Sequence, residues 1–100
     1  PKFAFELSIS KDTIRVMGGK RDTIKFSVNG VDFLKFRAKE LVEFVETTTA
    51  DIIKFKVVGR AQINEWGGRR TPQIMLDECD YEAFSLEDLF SRWRNVRENI

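Results

Sequence analysis

Two short stretches hold the residues best placed to do chemistry: MGGKRDT, from Met17 to Thr23, and WGGRRTP, from Trp66 to Pro72. In each, two glycines precede two cations. Glycine permits tight turns and close backbone approach, while Lys and Arg donate hydrogen bonds to phosphate oxygens, so the pattern points to gripping a polyanion backbone. Chemistry of other kinds has little to draw on. The chain has no His and a single Cys, Cys79, which alone builds neither a zinc site nor an internal disulfide. Glu65, Asp77 and Glu78 are acids on neighbouring strands, but without other support they make a weak cation set, and no metal site is expected.

The elements that must position these turns follow from periodicity. Phe3, Phe5, Leu7 and Ile9 alternate with polar or small residues, and Ile14 and Val16 resume the pattern, predicting one long, bent first strand. Ile24, Phe26 and Val28 form a second strand ending at Asn29-Gly30, the strongest hairpin signal in the chain, which makes it antiparallel to a third strand from Val31 to Arg37. Leu41, Val42, Phe44 and Val45 have helical spacing. A long strand from Ile52 to Trp66 carries Gly59 at an expected bulge, and a last strand runs from about Thr71 to Cys79. Ser85 reads as a helix N-cap, followed by an apolar stripe of Leu86, Leu89, Phe90, Trp93 and Val96 that packs on the barrel or on a neighbouring domain.

Three strands, a helix and two strands is the order of an OB-fold. The expected architecture is therefore all-β with accessory helices: a five-stranded OB barrel over residues 1–82, a helix between strands three and four, and a C-terminal amphipathic helix over 83–100. One domain suits 100 residues. Net charge is only +1, but residues 1–39 carry +5 and residues 73–100 carry −4, as one basic face and an acidic tail would. The lone cysteine and the lack of a signal peptide or membrane-length apolar run predict a cytoplasmic, soluble, monomeric protein. A start at Pro1 suggests a piece of a longer chain.

The run VVGRAQINEWGGRRTPQIMLD, from Val57 to Asp77, closely resembles the VVG-x3-INEW-NG-x3-PQLMI segment of RecJ-type single-stranded-DNA-specific exonucleases. The resemblance extends more weakly over Phe3 to Cys79. Gly67 replaces the family's usual Asn, and Phe33 stands where a small residue is common. What the resemblance implies is the OB domain of such an enzyme, which helps hold single-stranded DNA while a separate DHH-type phosphoesterase region cleaves from the five-prime end. That region would carry the Asp and His ligands for manganese or magnesium. This chain would then hold no cofactor and do no cleavage itself, acting in DNA repair or recombination through its parent. The alternative is a scaffolding domain that braces the catalytic domains and touches DNA little.

In this fold the ligand face lies over strands two and three, flanked by the loops between strands one and two and between strands four and five. The expected phosphate contacts are Lys20, Arg21, Arg69 and Arg70, with both turns at one end of the barrel. If Ile24, Phe26, Leu34 and Phe36 point inward, then Lys25, Lys35 and Arg37 form an outward basic stripe. Phe33 shares the parity of Lys35. It either stands among the lysines as a base-stacking platform or is turned inward by a local bulge. Trp66, beside its Gly-Gly turn, is expected to pack across the hairpin, with Asn64 and Glu65 bonding the loop backbone, while Met75 and Cys79 are core.

Overall fold

The computed structural model describes residues 2–85, so the expected C-terminal helix lies outside the described residues. Six strands and one helix follow in the order β1 (Lys2–Ser10), β2 (Arg15–Met17), β3 (Thr23–Val28), β4 (Val31–Lys35), α1 (Lys39–Thr47), β5 (Ile52–Trp66) and β6 (Arg69–Phe84). They form one sheet in the order β1-β5-β6-β4-β3-β2. All neighbours are antiparallel except β4 and β6, which run parallel.

The first correction concerns the barrel: the sheet is open and has six strands, not five. The expected long first strand is broken by a 3-10 turn at Lys11–Thr13 into β1, which pairs with β5, and β2, which pairs with β3. These two segments therefore become opposite edges of the sheet. A flat six-stranded sheet would separate its edges by about 24 Å at a strand spacing near 4.8 Å. The short connection between β1 and β2 cannot span that distance, since a 3-10 turn rises only about 2 Å per residue. The sheet must curl until its edges approach, with no ladder joining them among the described residues.

Curling encloses the core. Ile24, Phe26, Ile53, Phe55 and Val57 are fully buried. Phe26 lies between two stacked rings, Phe33 at 5.3 Å and Phe55 at 4.9 Å, and Phe5 meets Phe33 edge-on at 5.3 Å. In α1, Leu41, Val42 and Val45 fall on one side and are buried, while Glu40, Glu43 and Glu46 do not share that stripe.

Gly59 is the bulge that the sequence marks. The β5–β6 register shifts at Val58/Gly59, leaving Asp77 as the extra residue on β6. A Cβ on Gly59 would come within 2.7 Å of the Met75 carbonyl oxygen and of Ile74 Cγ2, so the close crossing of the two strands requires glycine.

Candidate nucleic-acid interface

The register of the six strands assembles an outer row from residues far apart in sequence. Arg15 lies opposite Lys25, Lys25 opposite Leu34, Leu34 beside Met75, Met75 opposite Arg60, and Arg60 opposite Lys2. Cross-strand neighbours share a face, and the intervening Ile24, Phe26, Phe33 and Ile74 are buried, so this row faces outward. Four cations thus flank two half-buried apolar side chains. Lys25 pairs with Asp32 at 3.6 Å, and the bulged Asp77 pairs with Arg60 at 3.2 Å and Lys2 at 3.9 Å.

The next outward row is polar: Ser27, Asp32, Gln73 and Gln62. Ser27 donates to Asp32, and Gln73 Nε2 donates to Gln62 Oε1 at 3.3 Å. Beyond it β5 and β6 leave the sheet as a two-stranded arm, exposed from Arg60 through Pro72. Asn64, Trp66, Arg69 and Thr71 continue the outer face up this arm, whereas Ala61, Ile63, Glu65, Arg70 and Pro72 belong to its other side.

Several expected contacts are placed elsewhere. Phe33 is 4% exposed and belongs to the core rather than to a stacking platform. The reason is register, with no bulge involved: the two-residue Asn29-Gly30 turn, both residues at positive φ, sets Phe33 opposite Phe26 and therefore on the same inward face. The parity assigned to β4 was off by one. Leu34 faces out, Phe36 lies past the strand end and is 52% exposed, and Lys35, opposite Ile24, falls on the inward side at the sheet's lower end. Arg37 follows β4 with a φ of 54°, so of the three basic residues Lys25 alone joins the outer row.

The two glycine turns are also not twins. Gly67 and Gly68, at φ 58° and 79°, make a two-residue hairpin turn between Trp66 and Arg69, so both arginines stand on β6. Gly18 to Asp22 is instead a five-residue loop, in which the Arg21 amide donates to the Gly18 carbonyl at 3.1 Å and Arg21 itself has a φ of 53°. Nor do they share an end. Because β6 runs parallel to β4, the arm's tip lies on the Asn29-Gly30 side, and the Gly18 loop lies opposite, beside α1. There Arg21 binds Glu46 at 3.0 Å, while Lys20 is exposed and has no ion pair among the described residues. At the other end Arg70 binds Glu65 at 2.9 Å, and Arg69 has no ion pair among the described residues.

Trp66 is 82% exposed, so it does not pack across the hairpin. Arg15, Arg60, Lys2, Gln62 and Gln73, which the strand register brings onto this outer face, were not among the contact residues singled out from sequence. The signal for Arg60 was present in the Gly59 bulge, which fixes the face of the residue after it, but β2 and the split first strand gave no such mark. Cys79 is half-buried, and burial pushes its thiol up to about 11. Among the described residues no group of three His, Cys, Asp or Glu is placed to share a metal ion. No described helix is long and apolar enough to cross a membrane.

The family model of the RecJ OB domain matches residues 1–78. The chain is 29% identical over 85 residues to a prophage-derived single-strand DNA-specific exonuclease, YorK, of Bacillus subtilis strain 168, and equally to a yorK single-strand DNA-specific exonuclease of Bacillus phage SPbeta. Each alignment covers 84% of this chain and 15% of the relative, so the chain spans a small part of the length of the curated relatives it matches.

Proposed function

This chain belongs to the RecJ OB-domain family, and from that premise we propose that it binds single-stranded DNA across the outer face of its sheet and holds the strand for a catalytic region elsewhere in the parent protein. The observation that carries this reading is the outer row of Arg15, Lys25, Leu34, Met75, Arg60 and Lys2. Cations spaced across strands suit successive phosphates, and the two apolar side chains between them suit base faces, neither of which reads sequence. Trp66 takes the stacking part first expected of Phe33, at the end of the same face. Cleavage, with its manganese or magnesium, belongs to the parent's catalytic region, and the work of this chain is binding.

The scaffolding reading draws on one observation, the other side of the arm. There Ala61, Ile63 and Pro72 extend an apolar surface past the core, and Ile63 is 56% exposed. Such a surface suits contact with another domain of the parent.

A salt titration of labelled oligothymidine separates the two. Four phosphate contacts in the row give a log-log slope near −3, at about −0.7 per contact. The double variant Lys25→Ala with Arg60→Ala should weaken binding and make the slope shallower by about 1.4. Binding that is absent at low salt, or that this variant leaves unchanged, favours the scaffold.

A further inference from the structure

Strands β4 and β6 pair over three residues only, Asp32 to Leu34 with Gln73 to Met75, and then separate. A cavity of about 290 Å³ opens in the gap, lined by Lys35, Arg37, Lys39 and Glu40 from the end of β4 and the start of α1, and by Cys79 and Tyr81 from β6. Lys35 is opposite Ile24 and Cys79 opposite Val57, so this is the inward side of the sheet, away from the outer row.

Cations without an ion pair occur elsewhere, Lys20 and Arg69 among them, but three of them line this one cavity. Lys2, Arg21, Lys25, Lys54, Arg60 and Arg70 each have a carboxylate partner. Lys35, Arg37 and Lys39 have none among the described residues, and Lys35 donates only to the carbonyl of its neighbour Phe36, at 3.3 Å. Against them stands Glu40, leaving the lining at +2. The Tyr81 ring packs on Phe44 at 4.7 Å, and its hydroxyl has no hydrogen-bond partner among the described residues. The Cys79 thiol, held protonated by burial, adds no negative charge at neutral pH.

We propose that this cavity binds a phosphate monoester. A monoester carries about −1.5 to −2 charge near neutral pH, against −1 for a diester, which matches the lining. Two sources share that chemistry, a free nucleotide and the phosphorylated end of a strand. The site is built on other residues than the outer row and does not rest on it.

The test is a backbone-amide NMR titration of the whole chain with inorganic phosphate, a deoxynucleoside 5′-monophosphate, and an oligothymidine with and without a 5′-phosphate, with sulfate at matched ionic strength as reference. Saturable shifts are expected at residues 37–41, 79 and 81. Arg37 has a φ of 54°, which asparagine tolerates, so the matched double variant is Arg37→Asn with Lys39→Gln. It should weaken monoester binding at least about tenfold, with an unchanged thermal melt, while Lys25→Ala with Arg60→Ala leaves monoester binding intact. Tight binding of the mononucleotide with no gain from the strand's 5′-phosphate assigns the free nucleotide as source, and a gain from the 5′-phosphate assigns the strand end. The proposal is overturned by no saturable shift with any monoester at millimolar concentration, by shifts that the cavity variant leaves unchanged, by sulfate binding as tightly as phosphate, or by loss of binding in the outer-row variant instead.

Discussion

Below Gly59, β5 and β6 are ordinary sheet: Ile53, Phe55 and Val57 are buried, and each outward neighbour is more exposed. Above it the same two strands continue for a dozen residues in ladder register, and every residue from Arg60 to Thr71 is exposed. The backbone ladder is alike in both regions, but what the side chains meet differs. In the body, side chains are kept by packing, so their loss is felt as stability. In the arm Trp66 and Arg69 are exposed among the described residues, so on the proposed reading their loss is felt as DNA affinity and not as stability.

The largest test of this contrast is the same truncation in each region. Phe33→Ala removes a ring held between Phe26 and Phe5 and should cost about 3 to 5 kcal/mol. Trp66→Ala removes a larger ring from solvent and should change stability by no more than about 0.5 kcal/mol, while weakening single-stranded DNA. Thermal melts of the two variants decide the matter. A large loss on Trp66→Ala means that the arm packs on something in solution.

Second in size is Gly59→Ala, at the boundary itself. The added methyl would meet the Met75 carbonyl oxygen at 2.7 Å, and a backbone atom in a paired strand cannot swing aside. Overpacking of this kind costs about 1 to 3 kcal/mol, read as a lower denaturation midpoint. Because Arg60 and Met75 are neighbours of the strained contact, the variant should also disturb the outer row and lower DNA affinity. Stability lost with affinity unchanged means that the row does not depend on the bulge.

How much of this was legible in the sequence depended on whether a local signal fixed a face. Asn29-Gly30 and Gly59 both marked real features, and α1 and the strands after the first followed from periodicity, whereas the first strand was read as one and is two. The inward turn of Phe33 was in principle legible as well, since a two-residue turn at 29 and 30 forces 33 opposite 26. The outer row was not. It needs the β4–β6 parallel pairing and the break of the first strand at Lys11–Thr13, neither of which leaves a residue-type signature. The resemblance of MGGKRDT to WGGRRTP misled for a related reason: identical glycine pairs sit in loops of different length, so one makes a two-residue turn with its cations in strand and the other a longer loop.

The smallest expected effect is the sharpest, because it compares adjacent residues of one type. Arg69 stands on the outer face opposite Trp66 and has no ion pair among the described residues, whereas Arg70 stands on the other side of the arm and binds Glu65 at 2.9 Å. Both are exposed, so neither Arg69→Ala nor Arg70→Ala should shift the thermal melt measurably, surface changes lying within about 0.5 kcal/mol. Each removes the same charge at nearly the same place. If the strand runs along the outer face, Arg69→Ala should make the salt slope shallower by about 0.7, the contribution of one phosphate, and Arg70→Ala should leave it nearly unchanged. Equal effects from both would mean that DNA senses only the charge of the tip, and the division of the arm into a binding face and an opposite face would have to be abandoned.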